Sequence, residues 1–171
     1  MNKESKSFPT LTTERLTLRQ LSESDAGGIF ELRSNPEINK FLDRKPSQTI
    51  EDALNFIKNI TENKELFYWA ITKTGEDKLV GTICLFEFLS NESKCEIGYE
   101  LLTEYQGQGF MFEAANGIIE FATKTLGIKT IEAVTHKDNQ SSTGLLLKLD
   151  FKESGNIYDE NPNLILFRLT I

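Results

Sequence analysis

Tyr105-Gln106-Gly107-Gln108-Gly109-Phe110-Met111-Phe112-Glu113-Ala114-Ala115 places two glycines just ahead of a helical run. It follows the strand-like run Cys95-Glu96-Ile97-Gly98-Tyr99-Glu100-Leu101-Leu102 and opens a long segment with apolar residues at helical spacing. A strand, a Gly-rich turn and a helix N-terminus make an anion site, because unpaired backbone N–H groups and the helix dipole point the same way. Gly107 and Gly109 let the main chain approach a pyrophosphate with no Cβ between them.

The spacing narrows the choice. An NTPase phosphate loop ends in Gly-Lys-Ser/Thr, whereas Gly109 is followed by Phe110 and Met111. A dinucleotide fingerprint needs a third glycine where Phe112 stands. What remains is Gln106-x-x-Gly109-x-Met111, which resembles the Arg/Gln-x-x-Gly-x-Gly/Ala signature of the GNAT superfamily, the acetyl-CoA-dependent N-acetyltransferases. Met111 departs from it, and its side chain is expected in the core, since backbone amides bind whatever the side chain is.

Further resemblances follow in order along residues 10–170. Thr13-Glu14-Arg15-Leu16-Thr17-Leu18-Arg19 is similar to the opening strand of the ribosomal-protein N-terminal acetyltransferase branch. Ser34-Asn35-Pro36-Glu37-Ile38-Asn39-Lys40-Phe41-Leu42 resembles its first helical connection, and Glu96-Ile97-Gly98-Tyr99-x-Leu101 its fourth strand. Asn139-x-x-Ser142 with Lys148-Leu149-Asp150-Phe151 resembles its late helix, with Asp150 where glycine is usual. A left-handed cap tolerates Asp there.

The pattern of elements predicts an α/β (α+β) fold: a mixed, mostly antiparallel sheet with a central splayed parallel strand pair and flanking helices. A strand over 14–20 precedes a helix over 25–34, and Ile50, Ala53, Leu54, Ile57 and Ile60 mark a second helical stretch. Phe67–Lys73 and Lys78–Phe88 read as a hairpin, with Leu79, Ile83 and Leu85 on one face and Val80, Cys84 and Phe86 on the other. After strand 94–102 comes the helix bearing Met111, Ala114, Ala115, Ile118, Ile119, Ala122 and Leu126 on its buried face, capped at Gly127. Strand 128–135 must run parallel to 94–102, because a helix crosses between them. A helix capped by Asp138 or Asn139 and strands near 150–157 and 163–170 complete the chain. Residues 1–9 are expected to be a flexible tail and 10–171 a single domain.

At 171 residues and 39% hydrophobic, one core is expected. No apolar run approaches the ~20 residues of a membrane span, and Met1–Ser7 lacks an apolar signal core. Cys84 and Cys95 fall inside strands with no metal-ligand spacing, and there is one histidine; two buried thiols in a reducing cytoplasm, with no metal, are expected. The net charge of −7 argues against a nucleic-acid partner, which would need a basic stripe.

The resemblance implies that acetyl-CoA lies between the splayed strands. The backbone of Leu101 and Leu102 would pair with pantetheine, the segment Gln106, Gly107, Gln108, Gly109, Phe110 and Met111 would hold the pyrophosphate, and Asn139 would bond a pantetheine amide. Ser142 would lie near the thioester sulfur. Glu96 is the first candidate base, ahead of Glu100. On a regular strand the two share a face, and a bulge would change that. Tyr99, Tyr105, Tyr158 and His136 are further polar candidates. The acceptor, a protein N-terminal amine or a small amine, is expected between residues 33–47 and the late loop at 157–163, where Glu37, Asp43, Asp159 and Glu160 would meet a cation. A non-catalytic acyl-CoA-binding module and a nucleotide-binding protein are the competing readings, and a homodimer is a family habit.

Overall fold

The computed structural model describes residues 7–155 and 161–171. Among the described residues eight strands form one sheet: β1 Leu11–Thr12, β2 Leu16–Gln20, β3 Phe67–Lys73, β4 Leu79–Leu89, β5 Lys94–Leu101, β6 Thr130–His136, β7 Lys152–Glu153 and β8 Leu164–Thr170. Their spatial order is β1-β2-β3-β4-β5-β6-β8-β7, antiparallel throughout except for the parallel pair β5·β6. The helices are α1 Ala26–Ser34, α2 Pro36–Asn39, α3 Ile50–Glu62, α4 Phe110–Lys124 and α5 Gln140–Lys148. No helix among the described residues is long and apolar enough to cross a membrane.

The sheet separates two cores. Leu16, Leu18, Trp69, Ile83, Leu85, Cys95 and Ile97 pack under α4, whose Met111, Ala114, Ala115, Ile118 and Ala122 face inward at helical spacing. On the other face Ala70, Leu79 and Leu102 meet Ile29 and Leu32 of α1 and Ala53 and Ile57 of α3. Thr49 and Asp52 form a capping box that starts α3, but Ile50 is 48% exposed and outside its buried face. Asp25 does not cap α1 with its side chain; it is buried and takes two bonds from Arg19, at 2.8 and 2.9 Å.

Leu79 lies on the opposite face from the one the alternation predicts. Ile71 pairs with Gly81 and Thr72 with Leu79, so Val80 is an extra residue, and the bulge reverses the parity of everything before it. Leu79 therefore joins the α1/α3 core, while Val80 packs with Ile83 and Leu85. A Cβ on the next residue, Gly81, would fall 2.4 Å from the Glu100 carbonyl, so glycine is needed for β4 to meet β5.

The last two residues read as tail belong to the packing. The Phe8 ring meets Trp69 edge-on at 5.7 Å, and Trp69 Nε1 donates to the Pro9 carbonyl at 2.8 Å. Near the other end, β7 spans only Lys152–Glu153, and residues 156–160 of the predicted strand and loop, Tyr158, Asp159 and Glu160 among them, lie outside the described residues.

Candidate active site

The parallel ladder is short. It joins Lys94–Thr130, Cys95–Ile131 and Glu96–Glu132 and then stops. Beyond it β5 continues along β4 as far as Leu101·Gly81, and β6 along β8 as far as His136·Leu164. The two central strands diverge, and their facing backbone edges beyond residue 96 have no ladder partner. Unpaired main chain of this kind is the requirement for binding an extended, amide-bearing ligand as a surrogate strand.

The Gly turn stands at the end of β5. Gly107 and Gly109 adopt φ +75° and +80°, the left-handed region that disfavours any Cβ. The first helical bond of α4 runs from Glu113 N–H to the Gly109 carbonyl at 3.1 Å, and no side chain caps this end. The amides of Phe110, Met111 and Phe112 thus remain for an anion. Phe110 and Met111 bury their side chains in the α4 core, so Met111 does not crowd the turn. Arg15, which sequence reasoning passed over, steadies the loop. Its Nη1 donates to the Gln108 carbonyl at 3.0 Å, its Nε to Glu113 at 2.7 Å, and its guanidinium lies 4.4 Å from the Phe110 ring centre. Gln108 Nε2 bonds the Glu104 carbonyl at 3.1 Å, and the Tyr105 ring packs beside Phe110.

Of the two leucines expected to serve a cofactor with main chain, Leu102 is occupied, because its N–H donates to Val80 of β4 at 2.9 Å. Alternation along the strand turns the polar groups of Leu101 the other way, toward the gap. There its carbonyl accepts from Gln106 Nε2 at 3.0 Å.

Across the gap, Asn139 caps α5. Its Oδ1 accepts from Ser142 N–H at 3.2 Å, which leaves its amide group to donate. Ser142 is buried, and its Oγ lies 2.7 Å from Tyr99 Oη on β5. Burial, offset in part by that bond, pushes the Tyr99 phenol up to about 12, so at neutral pH it keeps its proton.

The gap opens on the α1/α3 face into a cleft of about 1440 Å³. β5 runs without a bulge from Glu96 to Leu101, so Glu96, Gly98 and Glu100 share this face. Glu100 lines the cleft with Tyr68, Thr82, Cys84, Arg33, Arg44 and Phe41. Glu96 does not line it. It sits at the closed end beside Glu132, where burial and then the Glu87 and Glu132 charges raise its carboxyl above the usual range. Of the two carboxylates, Glu100 is the one that faces the cleft. Glu100 forms an ion pair with Arg44, whose Nε also donates to Asn39 at 2.7 Å. Neither Arg33 nor Arg44 carries a sequence signal: each is brought to β5 from a helix or loop more than fifty positions away.

The remaining polar candidates separate clearly. His136 lines the cleft, sets its ring at a tilt 5.0 Å from that of Phe41 and accepts the Asp138 N–H on Nδ1 at 3.1 Å, a wall position. Burial, and then the Glu100 charge, push the Cys84 thiol up to about 12, which removes it as a thiolate nucleophile. Tyr68 donates to Thr82 Oγ1 at 3.1 Å, and burial raises it far above the phenol range. Among the described residues no three His, Cys, Asp or Glu side chains are grouped to hold a metal.

Comparison with known proteins agrees with this geometry. The sequence profile described as Acetyltransferase (GNAT) domain matches residues 15–152. The chain is 33% identical over 151 residues to the uncharacterized N-acetyltransferase YoaA of Bacillus subtilis, covering 86% of this chain and 85% of that one. It is 27% identical over 161 residues to the ribosomal protein uS5-alanine N-acetyltransferase of Escherichia coli, covering 87% and 81%. A solved GNAT-family acetyltransferase from Bacillus anthracis superposes with a TM-score of 0.84 at 22% identity, covering 95% and 98%.

Proposed function

This chain belongs to the GNAT acetyltransferase family, and from that premise we propose that it transfers an acetyl group from acetyl-CoA to a primary amine, with a protein N-terminal α-amine as the acceptor. The observation that carries the reading is the β5·β6 gap, with free amides of the Gly turn at one end and the Tyr99–Ser142 pair facing Glu100's cleft at the other. The choice of acceptor draws support from the uS5-alanine relative. Two free thiols, Cys84 and Cys95, suit a cytoplasmic setting.

In this reading the amides of Phe110 to Phe112, with the backbone of Gln106 to Gly109, hold the pyrophosphate. The Leu101 backbone and the Asn139 amide group bond pantetheine. Acetyl-CoA supplies an activated thioester. Glu100, directly or through a water, takes the proton from the attacking amine. The new C–N bond forms as the C–S bond breaks, and the Ser142 hydroxyl, itself bonded to Tyr99, donates to the departing thiolate. Because Cys84 stays protonated, the chain offers no thiolate for an acyl-enzyme, and attack is direct within a ternary complex. An α-amine with a reference pKa of roughly 7.7–8.0 asks little of the base.

The test is thiol release from acetyl-CoA by the purified protein, with and without a peptide bearing a free N-terminus. The expected result is release that depends on the peptide, with acetylation at its α-amine. Binding of acetyl-CoA without release in the presence of any amine would leave a non-catalytic acyl-CoA module instead.

A further inference from the structure

Among the described residues, the half-buried Lys, Arg and Glu side chains lining the cleft each have an ion-pair partner, except Arg33. Lys94 is held by Glu92 and Glu132 at 3.0 and 2.9 Å. Arg44 is paired with Glu100, and its Nη2 leans on the Leu32 carbonyl at 3.4 Å. Asp43, Lys64, Glu65 and Glu87 are exposed and solvated. Arg33, in the last turn of α1, is half-buried in the cleft wall, with its guanidinium carbon 4.1 Å from the Phe56 ring centre. Among the described residues, no carboxylate or carbonyl accepts from it.

A guanidinium stacked on one face still presents its edge, a planar fork of donors suited to two oxygens of one anion. Half-burying that charge with no counter-ion is costly unless something fills the role. Burial, and then the nearby Arg44 charge, pull Arg33 below its ordinary value, as expected of a cation short of anionic company. Glu100 offsets this only in part, because it is itself ion-paired with Arg44. Beside Glu100 the cleft wall therefore holds a half-buried cation with no ion pair of its own, within a chain whose net charge is −7.

We propose that Arg33 selects acceptors whose primary amine is flanked by an anionic group, a carboxylate or a phosphate. This rests on the acetyl-transfer reading above and names its substrate class. For a peptide it means an acidic residue next to the N-terminus; for a small molecule, an amine with a carboxylate or phosphate a few bonds away. Polyamines, cationic at every nitrogen, are the disfavoured class. A simple excess of acidic residues in the sequence points the opposite way, and the difference lies in which charges the fold brings to the cleft.

The test uses matched acceptors that differ only in charge: Ala-Glu-amide against Ala-Gln-amide, phosphoethanolamine against ethanolamine, and spermidine. Thiol release from acetyl-CoA is followed with the wild-type chain, Arg33→Gln and Arg33→Lys. The expected result is a kcat/KM at least tenfold higher for the anionic member of a pair, expressed mainly in KM. That ratio should fall toward one in Arg33→Gln and recover in part in Arg33→Lys. The peptide and phosphate arms show which anion is preferred. Equal or greater activity with the neutral members or spermidine would overturn the inference while leaving acetyl transfer intact, as would a ratio unchanged by Arg33→Gln. No acetylation of any amine would sink both.

Discussion

Tyr99 Oη and Ser142 Oγ, 2.7 Å apart, bridge the two arms of the opened sheet, one residue on β5 and the other at the start of the helix that follows β6. The bond joins the strands where their own ladder has ended at Glu96·Glu132. In the proposed reaction the Ser142 hydroxyl donates to the departing thiolate. Ser142→Ala should lower kcat by about tenfold or more while acetyl-CoA affinity changes little, since one hydrogen bond to a charged group is worth about 1.5–3 kcal/mol. Tyr99→Phe should do the same, and the double variant should lose less than the product of the two, because the groups act as a unit. Steady-state kinetics beside calorimetric binding separates the effects. A fall in affinity with unchanged kcat would reject the leaving-group role.

Gly109 tests the anion turn. With φ +80° and a built Cβ only 3.3 Å from Arg15 Nη2, Gly109→Val is strained by backbone and neighbour together. It should raise the dissociation constant for CoA at least tenfold, measured by calorimetry, with the far-ultraviolet spectrum unchanged. Retained affinity would remove the turn from the cofactor site.

Glu100→Gln should slow turnover by about 10²-fold, the lower end for a positioned base. The loss should be greatest below about pH 7.7, where the acceptor α-amine depends on help to lose its proton, and smallest above it. A pH–rate profile with substrate well below KM reads this directly. A uniform loss at every pH would assign Glu100 to holding Arg44 instead.

Glu96 carries a prediction for stability rather than catalysis. Its carboxyl is raised in the folded chain, mainly by burial, so the unfolded chain ionises first. Stability therefore falls as pH rises from the unfolded value near ~4.3 through the folded one. Glu96→Gln should raise the Tm at pH 7 relative to wild type, with the gain vanishing near pH 4. Glu132 behaves oppositely. Burial alone would raise its carboxyl, but the bonds from Lys94 and Arg168 outweigh it and hold it low. Thermal scans at pH 4 and 7 check both; a Glu96→Gln gain that is the same at the two pH values would contradict the assignment.

The parallel pair and its crossover were legible because Gly107 and Gly109 end a strand and α4 begins at once with buried residues at helical spacing. Asp150 adopts φ +69°, as expected for a residue standing where glycine is usual. The face of Leu79 was not legible, because a single bulged residue, Val80, reverses the alternation and leaves no mark in composition. The lining of the cleft beside Glu100 was least legible of all. Arg44 meets Glu100 across 56 positions, and Arg33 stands out only because no ion pair holds it. Such pairings depend on how α1 and the loop after α2 fold over the sheet, which periodicity does not encode.

The proposed reaction requires acetyl-CoA in the β5·β6 gap with its pyrophosphate on the Gly turn. The most direct test is thermal unfolding of the wild-type chain and of Gly109→Val, each with acetyl-CoA, CoA or ATP. At a hundred times its dissociation constant a ligand stabilises the fold by about 2.7 kcal/mol, worth several degrees of Tm for a chain of this size. That shift is expected for wild type with both CoA forms, with none from ATP, and should be lost in Gly109→Val. No shift with either CoA form, or an equal shift in the variant, would contradict that binding mode.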